Sequence, residues 1–212
     1  MSILPLSIPN LPIEISFQIS KIQEDLNFYL QHIPEILKNP VLERTENAQK
    51  RKESLGCRYL LNNQLIKLNK PILPIDYTIE GKPFMKNGIH FSFSHTSEYV
   101  CSILSHDKSI GIDIESNHRK IEKIAPRFLN QIELSHFNTP KKQILAWSMK
   151  EAIYKAFAKK GISFREQILL HIENDSYVGI VHHESIAHKM PIYHFQNDDI
   201  SIAIAIANHP KA

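Results

Sequence analysis

The sequence predicts an α+β protein built from two similar α/β halves, residues 1–105 and residues 106–212. Helical periodicity followed by a run of short strands occurs twice along the chain. The length of 212 residues suits either one compact body or two half-size bodies packed together. With 42% hydrophobic and 22% charged residues, the composition is that of an ordinary globular protein, which excludes a disordered chain.

The first half begins with a proline-spaced segment that predicts an edge strand or coil (Pro5, Pro9 and Pro12). Apolar spacing then predicts a helix over 17–33, and Pro34 and Pro40 are expected to break the chain after it. A second helix is predicted from a Thr45 N-cap to about Leu65. Strands are expected at 76–80, 89–94, 99–104 and 109–115, with a turn at 80–83.

The second half begins with two short helical segments, expected at 121–128 and 131–136. The strongest helix signal in the chain follows, with Thr139 as N-cap and Pro140 at the first helical position. This helix is expected to run to about Lys160 and to end at Gly161. Four strands are predicted after it, at 167–172, 177–182, 190–194 and 200–205.

Composition also limits the classes of site and partner. The chain has only six glycines and neither a Walker A loop nor a G-x-G-x-x-G turn, so a nucleotide would be held by side chains, a metal or isolated amides. The net charge of +3 permits anionic partners without predicting a nucleic-acid binder. Cys57 and Cys101 form no C-x-x-C motif, and no signal peptide or membrane-length apolar run occurs, so we expect a cytoplasmic protein without disulfides.

A first candidate site lies in the alternating segment 110–115. Its isoleucines share one face of a strand, while Gly111, Asp113 and Glu115 share the other, with the carboxylates about 6.5–7 Å apart along the strand. Two such carboxylates suit a hard cation, and Gly111 would leave room for whatever the cation carries. The alternative is a half-exposed strand whose acidic face lies in water.

Two further segments could carry chemistry. In the strong helix, Trp147, Glu151 and Lys155 stack at i, i+4 and i+8 opposite an apolar stripe (Leu145, Met149, Ala152, Ile153 and Ala156). A surface Glu–Lys pair is the simplest interpretation, but the tryptophan indicates a face covered by a ligand, a second subdomain or a partner. The segment 91–96, Phe-Ser-Phe-Ser-His-Thr, is either a polar turn or a phosphate-binding strand end.

Taken in order, Gly111-Ile112-Asp113-Ile114-Glu115, Trp147-Ser148-Met149-Lys150-Glu151-Ala152 and Lys155 resemble the 4′-phosphopantetheinyl transferases. Gly81-Lys82-Pro83, the segments 92–96 and 125–129, and the basic helix segment 50–58 are similar to further motifs of that family. The resemblance covers about half the chain, from 50 to 161. It implies the larger two-lobed branch, with halves related by a pseudo-twofold, and hence a monomer.

The resemblance implies transfer of the phosphopantetheine arm of coenzyme A to a serine of an apo acyl or peptidyl carrier protein, with release of adenosine 3′,5′-bisphosphate. It implies Mg²⁺, or Mn²⁺ in its place, on Asp113, Glu115 and Glu151. Glu151 would be the general base and Lys155 would pair with the pyrophosphate, so Glu151, Lys155 and Asp113 form the catalytic set. The coenzyme A contacts would be Arg51, Lys52, Lys82, Pro83, Ser94, His95 and Lys155. Carrier docking is expected on 117–137.

The resemblance has one departure of structural consequence, and two other functions remain open. The family usually has a glycine where this chain has Ala158, so the helix is expected to continue to Gly161. One alternative function is a Mg²⁺-dependent phosphohydrolase that uses water as nucleophile on coenzyme A-like pyrophosphates. The other is a non-catalytic binding module for acidic partners, suggested by the basic run Lys50-Arg51-Lys52.

Overall fold

The computed structural model describes residues 1–207, and the predicted mixture of helices and strands is confirmed. The last residues of the predicted second half, 208–212, lie outside the described range. The elements are β1 (Ser16–Lys21), α1 (Leu26–His32), α2 (Glu35–Arg44), α3 (Ala48–Lys67), β2 (Asp76–Tyr77), β3 (Pro83–Phe84), β4 (His90–His95), β5 (Tyr99–Ser105), β6 (Ser109–Ser116), α4 (Ala125–Phe128), α5 (Gln131–His136), α6 (Pro140–Phe157), β7 (Ile168–Glu173), β8 (Ser176–His183), β9 (Ile186–Gln196) and β10 (Ile200–Ala207).

The chain forms two compact units. The first comprises Met1–Ser7 and Pro12–Asp107, and the second comprises Ile8–Leu11 and the chain from Lys108 onward. No helix within residues 1–207 is both long enough and apolar enough to cross a membrane. The pseudo-twofold relation between the halves stays a prediction.

In the first unit, α3 packs on an antiparallel sheet of order β1-β5-β4. Leu55, Leu61 and Leu65 of α3 are fully buried and belong to the same apolar cluster as Phe91 and Leu104 of the sheet. A shorter hairpin of β2 and β3 pairs Asp76 with Phe84. This packing fixes β4, which carries the predicted phosphate-binding segment, against α3.

The predicted helix over 17–33 is wrong in its first half. Residues 16–21 form β1, which pairs along its whole length with β5, so that Gln18 lies opposite Ser102. The helix begins only at Leu26, after an Asp25 N-cap whose side chain accepts a hydrogen bond from the Phe28 amide at 2.8 Å. Short apolar runs fit either period, and here the partner strand, which local spacing does not reveal, decides the outcome.

The expected break at Pro40 and the expected Thr45 N-cap are also wrong. Pro40 is exposed inside α2, and the helix persists because Leu37 and Val41 are buried in the core of the first unit. Thr45 ends α2, while the cap of α3 is Asn47, whose side chain accepts from the Lys50 amide at 2.9 Å. Burial of one apolar face thus outweighs the single hydrogen bond that a proline removes.

In the second unit, α6 lies across β6 and β10 of an antiparallel sheet of order β6-β10-β9-β8-β7. The predicted start of α6 is confirmed, since Thr139 caps it and Pro140 is its first residue. The predicted helix at 131–136 is also confirmed as α5, whereas the helical segment expected at 121–128 is limited to α4. The four strands after α6 lie near their predicted positions.

The end of α6 differs from the expectation. The helix stops at Phe157 because Ala158 adopts the left-handed conformation at φ 58° and ψ 43°, with its amide donating to the Tyr154 carbonyl. An alanine therefore has the conformation that a glycine would adopt more cheaply. The helix does not continue to Gly161.

We expect Ala158→Gly to stabilise the protein by about 0.5–1 kcal/mol, because relief of the left-handed strain exceeds the added entropy of the unfolded chain. The free energy of unfolding, measured by urea denaturation, checks this. Ala48→Gly, at an exposed helical position of α3, is the matched control and should lower stability. Equal losses from both substitutions would contradict the role assigned to Ala158.

Candidate active site

The candidate site is built where β6 and α6 touch at Gly111. A Cβ atom at this position would lie 2.1 Å from the Ala152 carbonyl oxygen and 2.6 Å from the Ala156 amide nitrogen, so only glycine permits the contact. The expectation that Gly111 leaves room for the ligands of a cation is therefore wrong. Backbone of α6 fills that space, and the close approach brings the acidic face of β6 to the helix.

Asp113 is the most buried carboxylate of the candidate set. It is 5% exposed, and its Oδ1 accepts a hydrogen bond from the Lys155 amine at 2.8 Å. The same amine donates to the Ile112 carbonyl at 2.9 Å. The alternative interpretation of an acidic strand face in water is thus wrong at Asp113, which is paired with a cation from the helix.

Glu115 is held by aromatic and cationic neighbours. Trp147 Nε1 donates to its Oε1 at 2.9 Å, and the Arg119 guanidinium pairs with the same oxygen. The indole ring packs on Phe128 and Phe164, with centroid separations of 4.9 and 5.6 Å. Residues of its own unit therefore cover Trp147, and the expected covering by a ligand or partner is not needed to explain it.

Burial and mutual repulsion raise the pKa values of two of the three carboxylates. The pKa of Glu151 rises to about 7, chiefly through burial and then through the charge of Asp113, with Lys155 acting in the opposite direction. The pKa of Glu115 is raised by the same two causes, opposed by Arg119 and by the hydrogen bond from Trp147. A carboxylate that titrates near 7 is suited to take up and release a proton at neutral pH.

The donor set of Asp113, Glu115 and Glu151 suits a hard divalent cation in its chemistry, because all three offer carboxylate oxygens. The charge of Asp113 raises the pKa of both glutamates, so a cation among the three would relieve an existing repulsion. Among residues 1–207, however, no group of three or more His, Cys, Asp or Glu side chains forms a ready metal site. The three carboxylates are thus close enough to interact without forming a closed cage.

Sequence reasoning missed the role of Lys150, which lies beside Glu151. Its side chain is fully buried, and its amine donates to Glu133 Oε2 at 2.8 Å and to the carbonyls of Phe164 and Ile168 at 2.7 Å each. Burial lowers the pKa of this lysine, and Glu133 opposes the shift. A signal was available, since the residues that share a helix face with Lys150, namely Ala146, Ile153 and Phe157, are all apolar.

Glu133 extends this buried contact beyond α6. Its Oε1 accepts from the Leu170 amide of β7 at 2.8 Å, and its Oε2 accepts from the Asn130 amide in a capping box. One ion pair therefore joins α5, α6, β7 and the segment that follows α6. The direction in which Glu151 projects depends on this anchor.

In the first unit, Lys82 is half-buried and Ser94 is buried. Burial lowers the pKa of Lys82 to about 8, and Pro83 directly after it begins β3. Ser94 is 8% exposed, and its carbonyl accepts from the thiols of Cys57 at 3.6 Å and Cys101 at 3.3 Å. Both thiols are thus free, buried and engaged within the fold.

The remaining predicted contacts in the first unit lie on α3 and at the end of β4. Arg51 donates from Nε to the Thr45 carbonyl at 2.6 Å and from Nη2 to the Leu42 carbonyl at 2.9 Å, so it ties the end of α2 to α3. Lys52 is half-buried on the same helix. His95 Nδ1 lies 3.4 Å from Glu53 Oε2.

Comparison with known proteins agrees with the motif reading. A model described as the 4′-phosphopantetheinyl transferase superfamily matches residues 109–205, which run from β6 into β10 and include α6. A curated relative, 4′-phosphopantetheinyl transferase gsp of Aneurinibacillus migulanus, is 36% identical over 86 residues, or 37% of this chain and 35% of the relative. The matched part thus spans about a third of that relative's length. The resemblance to the family is confirmed.

We expect Lys150→Met to destabilise the protein by about 3–5 kcal/mol, because it leaves the Glu133 carboxylate buried without its cation. The double variant Lys150→Met with Glu133→Leu should recover part of this loss. Urea denaturation monitored by circular dichroism measures both. Lys141→Met, which removes an exposed ion pair from the same helix, is the control and should change stability little. A Lys150 effect as small as the Lys141 effect would refute the anchoring role.

Proposed function

We propose that this protein is a 4′-phosphopantetheinyl transferase, which moves the phosphopantetheine arm of coenzyme A to a serine of an apo acyl or peptidyl carrier protein, with release of adenosine 3′,5′-bisphosphate. The observation that supports it is the meeting of Asp113, Glu151 and Lys155 where β6 touches α6, inside the matched range 109–205. The curated relative from Aneurinibacillus migulanus is named as the same kind of transferase.

The residues of the second unit suit this displacement. The carrier serine oxygen forms a bond to the pantetheine-side phosphorus while the bond from that phosphorus to the bridging oxygen breaks, and the serine proton passes to Glu151. A pKa of about 7 lets Glu151 accept this proton near neutral pH and release it afterwards. Lys155 supplies a positive point charge for the leaving phosphate, a role suited to an amine already held beside Asp113.

Magnesium is the proposed cation for the second unit, with Asp113, Glu115 and Glu151 as its protein ligands. When bound, it would neutralise negative charge on the pyrophosphate, and Mn²⁺ could replace it. Burial and then the charge of Asp113 raise the pKa of both glutamates although Lys155 and Arg119 oppose the shift, and this uncompensated negative charge supports the assignment.

The coenzyme A contacts proposed in the first unit are Arg51, Lys52, Lys82, Pro83, Ser94 and His95. Two nitrogens of Arg51 already bond to carbonyls at the end of α2, so we assign the 3′-phosphate to Lys52. Lys82, whose pKa is about 8, is mostly charged at pH 7 and sits in a poorly hydrated position where pairing with an anion is strong.

Carrier docking is proposed on segment 117–137, and the protein is proposed to act as a cytoplasmic monomer. Exposed Lys120, Lys123 and Arg127 give this segment a positive surface, which would favour a carrier with an acidic face.

Intact mass of an apo carrier protein, incubated with coenzyme A and Mg²⁺, tests the transfer. We expect the mass of one phosphopantetheine to be added, and we expect Glu151→Gln and Asp113→Ala each to slow transfer by about 10²–10⁴-fold, because each removes a proton acceptor or a charge from the reacting centre. Glu173→Gln, at an exposed carboxylate of β7 outside the segments assigned to substrate, metal and carrier, is the matched control and should retain full activity.

Four results would count against the proposal in different ways. No mass shift on any of several carriers would remove the transferase, and loss of the arm from coenzyme A without a carrier would instead identify a phosphohydrolase. Binding of coenzyme A that is indifferent to Mg²⁺, with no turnover, would indicate a non-catalytic module. Full activity in Asp113→Ala would exclude the proposed ligand role, provided that circular dichroism shows an intact fold.

The rate of transfer should depend on pH through Glu151. Burial and the Asp113 charge raise its pKa to about 7, so the side chain is protonated below this value and cannot accept the serine proton. We therefore expect kcat/KM to fall about tenfold for each pH unit below the apparent pKa of the base and to level off above it. Bound Mg²⁺ should move this apparent pKa downwards, so the profile is measured at several Mg²⁺ concentrations. A profile without any acidic limb would rule out Glu151 as the base.

A further inference from the structure

Glu53 of α3 lies against the ring of His95 at the end of β4. Glu53 Oε2 is 3.4 Å from His95 Nδ1, and the glutamate side chain is 13% exposed while the histidine side chain is 44% exposed. The carboxylate thus approaches the ring from the protein side, and much of the imidazole remains open to solvent. His95 is one of the proposed coenzyme A contacts, so this inference rests on the proposed function.

Gln49 holds the carboxylate in place. One turn before Glu53 on α3, its amide nitrogen donates to Glu53 Oε1 at 2.9 Å and also to the Ser97 carbonyl at 3.0 Å. Ser97 lies in the turn between β4 and β5, so Gln49 links the carboxylate to the same turn that follows His95. Both oxygens of Glu53 therefore have a partner, and its orientation is fixed relative to the end of β4.

The negative charge of Glu53 is unexpected at this position. Glu53 directly follows Lys50-Arg51-Lys52 in a segment that we assign to phosphate binding, where a bare negative charge would repel the ligand. An imidazole between the carboxylate and the phosphate removes this conflict, because a charged imidazole donates from both ring nitrogens. It can therefore bond to Glu53 through Nδ1 and to a phosphate oxygen through Nε2.

We propose that Glu53 is a positioning residue for coenzyme A binding, which acts through His95. By engaging Nδ1, the carboxylate sets the orientation of the ring and directs Nε2 outward toward a phosphate oxygen of the bound coenzyme. Carboxylates set the orientation of histidines in the same way at metal sites and in catalytic pairs. The contribution of this pair to folding stability should be small, since the His95 side chain is 44% exposed and ion pairs open to solvent stabilise proteins little.

A double-mutant cycle separates this role from a structural one. Coenzyme A affinity is measured by calorimetry for wild type, Glu53→Gln, His95→Ala and the double variant. We expect Glu53→Gln to weaken binding by about tenfold in the wild-type background, the equivalent of one charge-assisted hydrogen bond, and by less than about twofold when His95 is absent. Glu53→Asp should restore part of the affinity, because it retains the charge on a shorter side chain.

Two controls accompany the cycle. Glu98→Gln alters an exposed carboxylate in the same β4–β5 turn and should leave affinity unchanged. The ¹⁵N spectrum of the ligand-free protein reports the ring directly: we expect the neutral His95 ring to carry its proton on Nδ1 in wild type and to exchange between both nitrogens in Glu53→Gln. The second readout does not require coenzyme A.

The outcomes distinguish the inference from the proposed function. Equal losses from Glu53→Gln with and without His95, or an unchanged tautomer, would overturn the positioning role while the transferase stands. A wild-type protein that neither binds coenzyme A nor modifies a carrier would remove the proposed function, whatever the ¹⁵N spectrum shows. If Glu53→Gln lowers the melting temperature by more than about 5 °C, its coenzyme A affinity is set aside. The positioning role is then tested by the affinity of Glu53→Asp and by the ¹⁵N spectrum of His95.

Discussion

The buried ion pair between Lys150 and Glu133 is the contact on which the candidate active site depends. The three hydrogens of the lysine amine are all used, one by Glu133 and two by the carbonyls of Phe164 and Ile168. A charge in this position tolerates no sliding or rotation of α6, because each displacement would leave a buried donor without an acceptor. Glu151 is the next residue, so the pair that appears purely structural also fixes the direction of the proposed base.

A second constraint, the close contact of α6 with β6, determines how readily the carboxylates of the site ionise. Since Gly111 allows the backbone of α6 to touch β6, carboxylates from both elements share a poorly hydrated space. Burial is the largest cause of the raised pKa in both Glu115 and Glu151, and the nearby Asp113 is the second. Close packing, which stabilises the unit, therefore also makes its carboxylates hard to ionise, and positive charge from Lys155 and Arg119 only partly compensates.

The sequence correctly predicted the elements whose signals come from neighbouring residues. Its predictions were wrong where the structure depends on contacts with residues far away in the chain. Thr139 and Pro140 mark the start of α6 because capping involves neighbouring residues only, and the alternation over 110–115 marks β6. By contrast, the apolar spacing of β1 predicts a helix, and the segment is a strand because it pairs with β5. The position of Trp147 opposite the apolar stripe predicts an exposed ring, but Phe128 and Phe164 pack on it. The carboxylate motif could be found in the sequence, whereas its burial and the Lys150 anchor arise only from tertiary packing.

The charged run 50–53 shows why residue type alone misjudges such segments. Consecutive residues of a helix point about 100° apart, so four neighbouring charges face four directions. Lys50 is exposed, Arg51 is bonded to the carbonyls of α2, Lys52 is half-buried, and Glu53 meets His95. A stretch that would count as one basic patch is thus divided between stabilising a helix end and orienting an imidazole. The capacity of the first unit to hold an anion therefore depends on how these side chains are directed, and the net charge of the run gives little measure of it.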